Sequence, residues 1–219
     1  MKLTSLLLLS TLISPCVFAN FPQAQTNMQH QQFKEYYFSG EYHKDIAKKL
    51  ADAKGYLDLQ IQAKNPLRLA IVMDIDETAL SNYLDLKRLG FTENLQAKTA
   101  AYMLSGAQAI PAVLELYQYA INNNVAVFFI SERPNTPEVM NATVKNLKST
   151  GFTQWEELLL KPLDKPNQSN KDFKTHARRH IALQGFDIIL NIGDLEEDLV
   201  GGYAQAKVKL PNPFYGTVA

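Results

Sequence analysis

Three short apolar runs limit what this chain can fold into: LAIVMD (69–74), VAVFFIS (125–131) and DIILNIG (187–193). A strand that is apolar at successive positions is buried on both faces. The intervening stretches 110–122, 136–149 and 171–184 carry apolar residues at helical spacing, and strands alternating with helices build a parallel sheet covered on both sides. The expectation is an α/β fold with a doubly wound parallel sheet. NNN (122–124) and KPLDKPNQSN (161–170) read as loops.

Each apolar run ends in polar groups: Asp74 and Asp76, then Ser131 and Arg133, then Asp194 with Asp198. In an open parallel sheet the carboxyl ends of the strands share one edge, where ligands bind, so these groups are expected to meet in one crevice. Asp74 and Asp76, two apart, point the same way in extended chain. Asp194 and Asp198, four apart after a glycine, can share the face of a turn or short helix. Gathered carboxylates need a cation, and oxygen donors without cysteine or clustered histidine suit Mg²⁺ better than Zn²⁺. The bland alternative is that each acid caps the element after its strand.

Upstream, Tyr42, Ile46, Leu50, Ala53 and Leu57 recur at helical spacing and stop before Asn65-Pro66. They mark an N-terminal helical segment, assigned to 20–66, ahead of a core domain over 67–219. The first 19 residues have a basic start, an apolar centre and Val17-Phe18-Ala19 before Asn20, the pattern of a cleaved secretory signal. Pro15 before Cys16 argues against a lipid-modified cysteine. A periplasmic or secreted protein without a stable membrane anchor is expected. The 22 basic and 22 acidic residues balance, so no global field favours a nucleic acid polymer. The basic run KTHARRH (174–180) reads as a solvated helix face, and His176 and His180 lack the acidic partner of a helical zinc motif. Trp155 reads as packing.

DIDET (74–78) resembles the first motif of the haloacid dehalogenase (HAD) superfamily. DETALSN, AIPAVLELY, TVKNLKSTGFTQWEELLLK, NIGDLEEDL and VKLPNPFY are similar to stretches of its acid phosphatase branch, which includes plant acid phosphatases, vegetative storage proteins and, more distantly, bacterial class C acid phosphatases. The resemblance spans roughly Leu69 to Tyr215. It implies a HAD-like, Rossmannoid core with a small cap, placed at about 80–108, and a Mg²⁺-dependent phosphatase acting on small phosphate monoesters. It further implies Asp74 as nucleophile and Asp76 as acid and base. Ser131 and Lys174 would hold the phosphoryl group, with Lys171 second choice for the lysine. Asp74, the Asp76 backbone carbonyl and Asp194 would hold the metal, and Asp198 and Arg133 would support them. Glu132 stands where relatives carry a small residue, a departure that leaves open whether Arg133 is neutralised by it or free to act at the site.

A phosphate monoester repels an anionic nucleophile, so this chemistry needs a metal and a lysine to offset charge. A protonated Asp76 would suit acidic conditions. Tyr83, Phe91 and Tyr102 fit either a leaving-group platform or the core of the cap. Two other functions stay open: a non-catalytic storage or binding protein on the same fold, and phosphotransfer to an alcohol. Sequence leaves the oligomeric state unknown.

Overall fold

The computed structural model describes residues 21–63, 65–92 and 94–215, so the secretory pattern at 1–19 lies outside the described residues. Five strands form one parallel sheet in the order β5-β4-β1-β6-β7: β1 (Arg68–Met73), β4 (Ala126–Pro134), β5 (Glu157–Lys161), β6 (Phe186–Gly193) and β7 (Ala206–Lys209). The chain runs outward from β1 to β4 and β5, then returns to the other side of β1 with β6 and β7. Neighbouring strands that leave in opposite directions open a crevice beyond their carboxyl ends. Asp74 and Asp194 follow such a pair, β1 and β6.

Alternation along β1 divides its side chains between two cores. Ala70 and Val72 pack with Phe128, Ile130 and Ile188 beneath Phe173, Ala177 and Ile181 of α7 (Asn170–Leu183). Ile71 and Met73 face the larger core, shared with Val113 and Leu116 of α5 (Pro111–Asn122) and with Tyr42, Ile46, Leu50, Ala53 and Leu57 of α2 (Glu41–Gln62). The apolar stripe of α2 is therefore buried in the same core as the sheet. An earlier helix, α1 (Phe21–Phe38), is separated from α2 by Gly40, whose φ of 83° suits glycine.

The helices start where local chemistry allows. Thr136 accepts from the Val139 amide and Pro137 occupies the first turn of α6 (Pro137–Ser149); Ser169 accepts from the Asp172 amide at the start of α7. Between the first and second sheet strands, residues 80–109 form a two-stranded antiparallel ribbon, β2 (Leu80–Ser81) and β3 (Gln108–Ala109). The ribbon encloses α3 (Tyr83–Arg88) and α4 (Leu95–Leu104). Tyr83 is fully buried and stacks on Tyr37 with ring centroids 4.0 Å apart, and Phe91 packs against Phe33 and Phe214. These two aromatics are packing. Trp155 lies edge-on to Phe129 and is packing as well. Among the described residues, no helix is long and apolar enough to cross a membrane.

The basic run at 174–180 departs from the solvated-face reading. Lys174 and Arg178 are buried, with Ala177 between them, while His176, Arg179 and His180 are exposed. Arg178 donates to the backbone carbonyls of Asp198 (2.6 Å), Gly202 (2.9 Å) and Val200. It is a structural pin for the chain after β6.

Candidate active site

At the carboxyl edge of the sheet, the chain turns sharply after β1. The Asp74 amide still donates to the Ile192 carbonyl (2.9 Å), but Leu80 N–H reaches back to the Ile75 carbonyl (2.8 Å) and Glu77 has φ 53°. Asp74 and Asp76 consequently face different cations. The Lys174 ammonium donates to Asp74 Oδ1 at 2.6 Å and to Asp198 Oδ1. Lys171, one turn earlier, is exposed.

Asp76 is gripped by Arg133, whose Nη2 donates to Oδ1 at 2.7 Å and whose Nε donates to Oδ2 at 3.0 Å. Asn82 Nδ2 donates to Oδ1 at 2.7 Å, and Ser131 Oγ stands 3.5 Å from Oδ2. Ser131 and Arg133 share a face because β4 continues to Pro134, which keeps residues two apart on one side. Burial alone would raise the Asp76 carboxyl; the Arg133 charge and hydrogen bonds outweigh it and hold Asp76 below the ordinary carboxylate range.

The two remaining acids stand next to Asp74. One carboxylate oxygen from each of Asp74, Asp194 and Asp198 lies within 4.8 Å of the others, and all three residues are buried. Asp194 accepts from Thr78 Oγ1 (3.0 Å) and Asn212 Nδ2 (2.7 Å). Asp198 Oδ2 accepts from the Leu195 amide (2.8 Å), so Asp198 does cap a turn, as the bland alternative holds. Asp74, Asp76 and Asp194 make no such cap: their carboxylates are engaged by the side chains just described. Burial pushes Asp74 up to about 8; Lys174 opposes this and the charges of Asp198 and Asp76 add to it. Burial, with Asp74 and Asp198 adding, drives Asp194 up as well. Burial would lower the Lys174 ammonium, but Asp74 and Asp198 together raise it.

Acids crowded enough to resist ionisation form a donor set that a divalent cation would relieve, and the all-oxygen composition fits a hard metal. The residues present therefore fit a metal. The structure brings together Asp74, Asp76, Ser131, Arg133, Lys174, Asp194 and Asp198.

Two details of the site depend on contacts that sequence order does not display. Glu132 does not neutralise Arg133, which is spent on Asp76; Glu132 instead accepts from Asn170 Nδ2, which also reaches Glu197 (2.8 Å). The reason is strand alternation: Glu132 points to the opposite side from Ser131 and Arg133. Glu77 is the second. It is fully buried and accepts from the Asn82 amide (2.6 Å) and Tyr215 hydroxyl (2.9 Å); burial pushes it to about 7, with the neighbouring Asp76 adding. The acid in DIDET just after Asp76 was visible, but its burial depends on Tyr215, 138 residues away.

Compared with known families, residues 16–218 match the model of HAD superfamily, subfamily IIIB (acid phosphatase). The chain belongs to this family. Its relatives include acid phosphatase 1 of Solanum lycopersicum, 30% identical over 186 residues (83% of this chain, 72% of the relative). They also include the stem 28 kDa glycoprotein of Glycine max, 32% identical over 191 residues (83% and 72%). Among solved structures, the class C acid phosphatase from Bacillus anthracis with tungstate bound superposes with a TM-score of 0.71 at 24% identity, covering 87% of this chain and 85% of that one. That likeness concerns the fold. Membership makes the chain a phosphomonoesterase of the acid phosphatase kind, acting on a small phosphate ester, and the site just described lies where the fold binds ligands.

Proposed function

We propose that this acid phosphatase is exported, depends on Mg²⁺, and hydrolyses phosphate monoesters through an aspartyl phosphate on Asp74. The observation that carries the reading is the convergence of Asp74, Lys174, Asp194 and Asp198 in one buried cluster, with Asp76 two residues on but held by a separate cation. Asp74, Asp194 and the Asp76 carbonyl would hold Mg²⁺, with Asp198 supporting. When bound, the ion would offset phosphoryl charge and keep Asp74 ionised.

The rest is the work of the chain's own side chains. Lys174 holds Asp74 in place and presents a cation to the phosphoryl oxygens; Ser131 offers them a hydroxyl. An Asp74 carboxylate oxygen attacks phosphorus, the ester P–O bond breaks, and the departing alkoxide takes a proton from Asp76. Asp76 then accepts a proton from water as that water attacks the acyl phosphate, which returns Asp74 and releases inorganic phosphate. Arg133 favours the carboxylate of Asp76. The pair therefore suits the second, base-catalysed half of the cycle, and the first half gains from acidic conditions.

Export rests on the pattern over residues 1–19. The reading is tested by phosphate release from phenyl phosphate: activity lost in excess chelator and regained with Mg²⁺ supports it, whereas full turnover in chelator contradicts the metal assignment. A folded protein that hydrolyses no monoester would favour a storage role on the same fold.

A further inference from the structure

After β7 the stretch LPNPFY (210–215) returns to the site. Within it, Asn212 Nδ2 donates to Asp194 Oδ2 at 2.7 Å, while Thr78 Oγ1 donates to the other carboxylate oxygen at 3.0 Å. One donor on each oxygen fixes the plane of the carboxylate and leaves its remaining lone pairs for a cation. Thr78 is held by the turn after β1. Asn212 lies outside the sheet, so its own position has to be secured by other means.

Three features secure it. Asn212 Oδ1 accepts from the Phe214 amide at 2.9 Å, so the side-chain amide cannot turn over without losing that bond, and Nδ2 is the group left for Asp194. Pro211 and Pro213 flank Asn212; a proline fixes its own φ and restricts the residue before it to extended backbone. The stretch is also fastened on both sides of Asn212. On one side Leu210 N–H donates to the Gly193 carbonyl (2.9 Å) and Lys209 Nζ to the Asp194 carbonyl (2.6 Å). On the other, the Tyr215 hydroxyl donates to the buried Glu77 (2.9 Å), and the buried Phe214 ring lies with its centroid 5.7 Å from that of Phe33 in α1, 5.3 Å from Tyr42 in α2 and 5.2 Å from Tyr83 in α3. Shaping the turn needs only an acceptor for the Phe214 amide, which a serine would supply as well. The donor aimed at a buried acid is what asparagine adds.

Resting on the metal assignment above, we propose that Asn212 is a positioning residue for the metal: it acts through Asp194, holding that carboxylate in the orientation in which it ligates Mg²⁺. Asn212 itself touches neither the ion nor the phosphoryl group. Its effect is therefore on metal affinity.

Calorimetric titration of the full chain with Mg²⁺ reads this without turnover. Removing a hydrogen-bond partner of a metal-ligating group costs about ten- to hundredfold in metal affinity, and Asn212→Ser is expected to lose Mg²⁺ affinity on that scale. Serine can still accept from the Phe214 amide but ends one atom short of Asp194, so it would rescue a residue that only shapes the turn. Asn212→Ala should lose as much, and the Mg²⁺ concentration for half-maximal phosphate release from phenyl phosphate should rise by the same factor in both variants. Melting temperatures in chelator establish that each variant is folded, and the serine variant decides if the alanine variant is not. Wild-type Mg²⁺ affinity in Asn212→Ser overturns the inference, as does a wild type that binds no Mg²⁺, which overturns the metal assignment with it. Loss of Mg²⁺ affinity in the variants of a protein that hydrolyses no monoester would keep the inference and overturn the hydrolase reading.

Discussion

Arg133 closes on Asp76 chiefly through Nη2 to Oδ1 at 2.7 Å and Nε to Oδ2 at 3.0 Å, with both side chains almost wholly excluded from solvent. A bidentate pair of this kind fixes the carboxylate's orientation as well as its charge. Thr143 Oγ1 accepts from Nη1 at 3.0 Å and orients the guanidinium.

On this account Asp76 must be protonated to help a poor leaving group depart, so kcat/KM for an alkyl phosphate falls as pH rises through the Asp76 pKa. Removing the cation raises that pKa. Arg133→Gln is expected to carry the falling limb to higher pH by at least about one unit. It should also cost about 3–5 kcal/mol of stability, because a buried charge loses its partner. Thr143→Val should move the limb less. A limb fixed in both variants, read from pH profiles of folded protein, would show that Arg133 does not control Asp76.

The crowded acids make a second prediction about stability. Asp74 has its folded pKa raised to about 8, so between its unfolded value near 4 and 8 the folded chain retains a proton that the unfolded chain has released. Stability of the metal-free protein must fall as pH rises through that window. Melting temperatures in chelator should decline from pH 5 to pH 8, and Mg²⁺ should flatten the decline by supplying the missing charge. Asp74→Asn, which has no proton to lose, should melt on the order of 5 °C above the metal-free wild type at pH 8. A metal-free curve that rises over this range would contradict the cluster's electrostatics.

Gly193 supplies a third. A Cβ there would lie 2.4 Å from Asp198 Cβ and 2.5 Å from Asp198 Oδ2, so this glycine is required by close approach. Gly193→Ala should displace Asp198, raise the Mg²⁺ concentration for half-maximal activity by about tenfold, and destabilise the fold by about 1–3 kcal/mol. Unchanged metal dependence would separate Asp198 from the metal.

Sequence pattern carried much of this fold because the sheet's centre is buried on both faces. Each of the three apolar runs lies within one residue of an observed strand start, and all three helical patterns recur as α5, α6 and α7. β5 and β7 were harder to see: the outer strands alternate in exposure or are only half-buried, so their apolar signal is weak. The break between α1 and α2 depends on one left-handed glycine, which composition does not flag. At the site, residue types and order were legible, but pairings were not. Arg133 meets Asp76 only because β4 extends to Pro134, and Arg178 is buried only because three carbonyls of the 198–202 segment converge on it.

The central claim is that Asp74 and Asp76 divide the work, Asp74 forming a covalent bond to phosphorus and Asp76 moving protons. p-Nitrophenyl phosphate, whose leaving group needs little protonation, separates the two roles in Asp76→Ala: phosphorylation should survive, while hydrolysis of the acyl phosphate loses its base. Rapid-quench kinetics of this variant with Mg²⁺ should show a burst of nitrophenolate. Mass spectrometry should then find one added phosphoryl group on the peptide containing Asp74, and an alkyl phosphate should give no burst. Phosphorylation as slow as turnover for both esters, or a phosphoryl group on any other residue, would contradict the account.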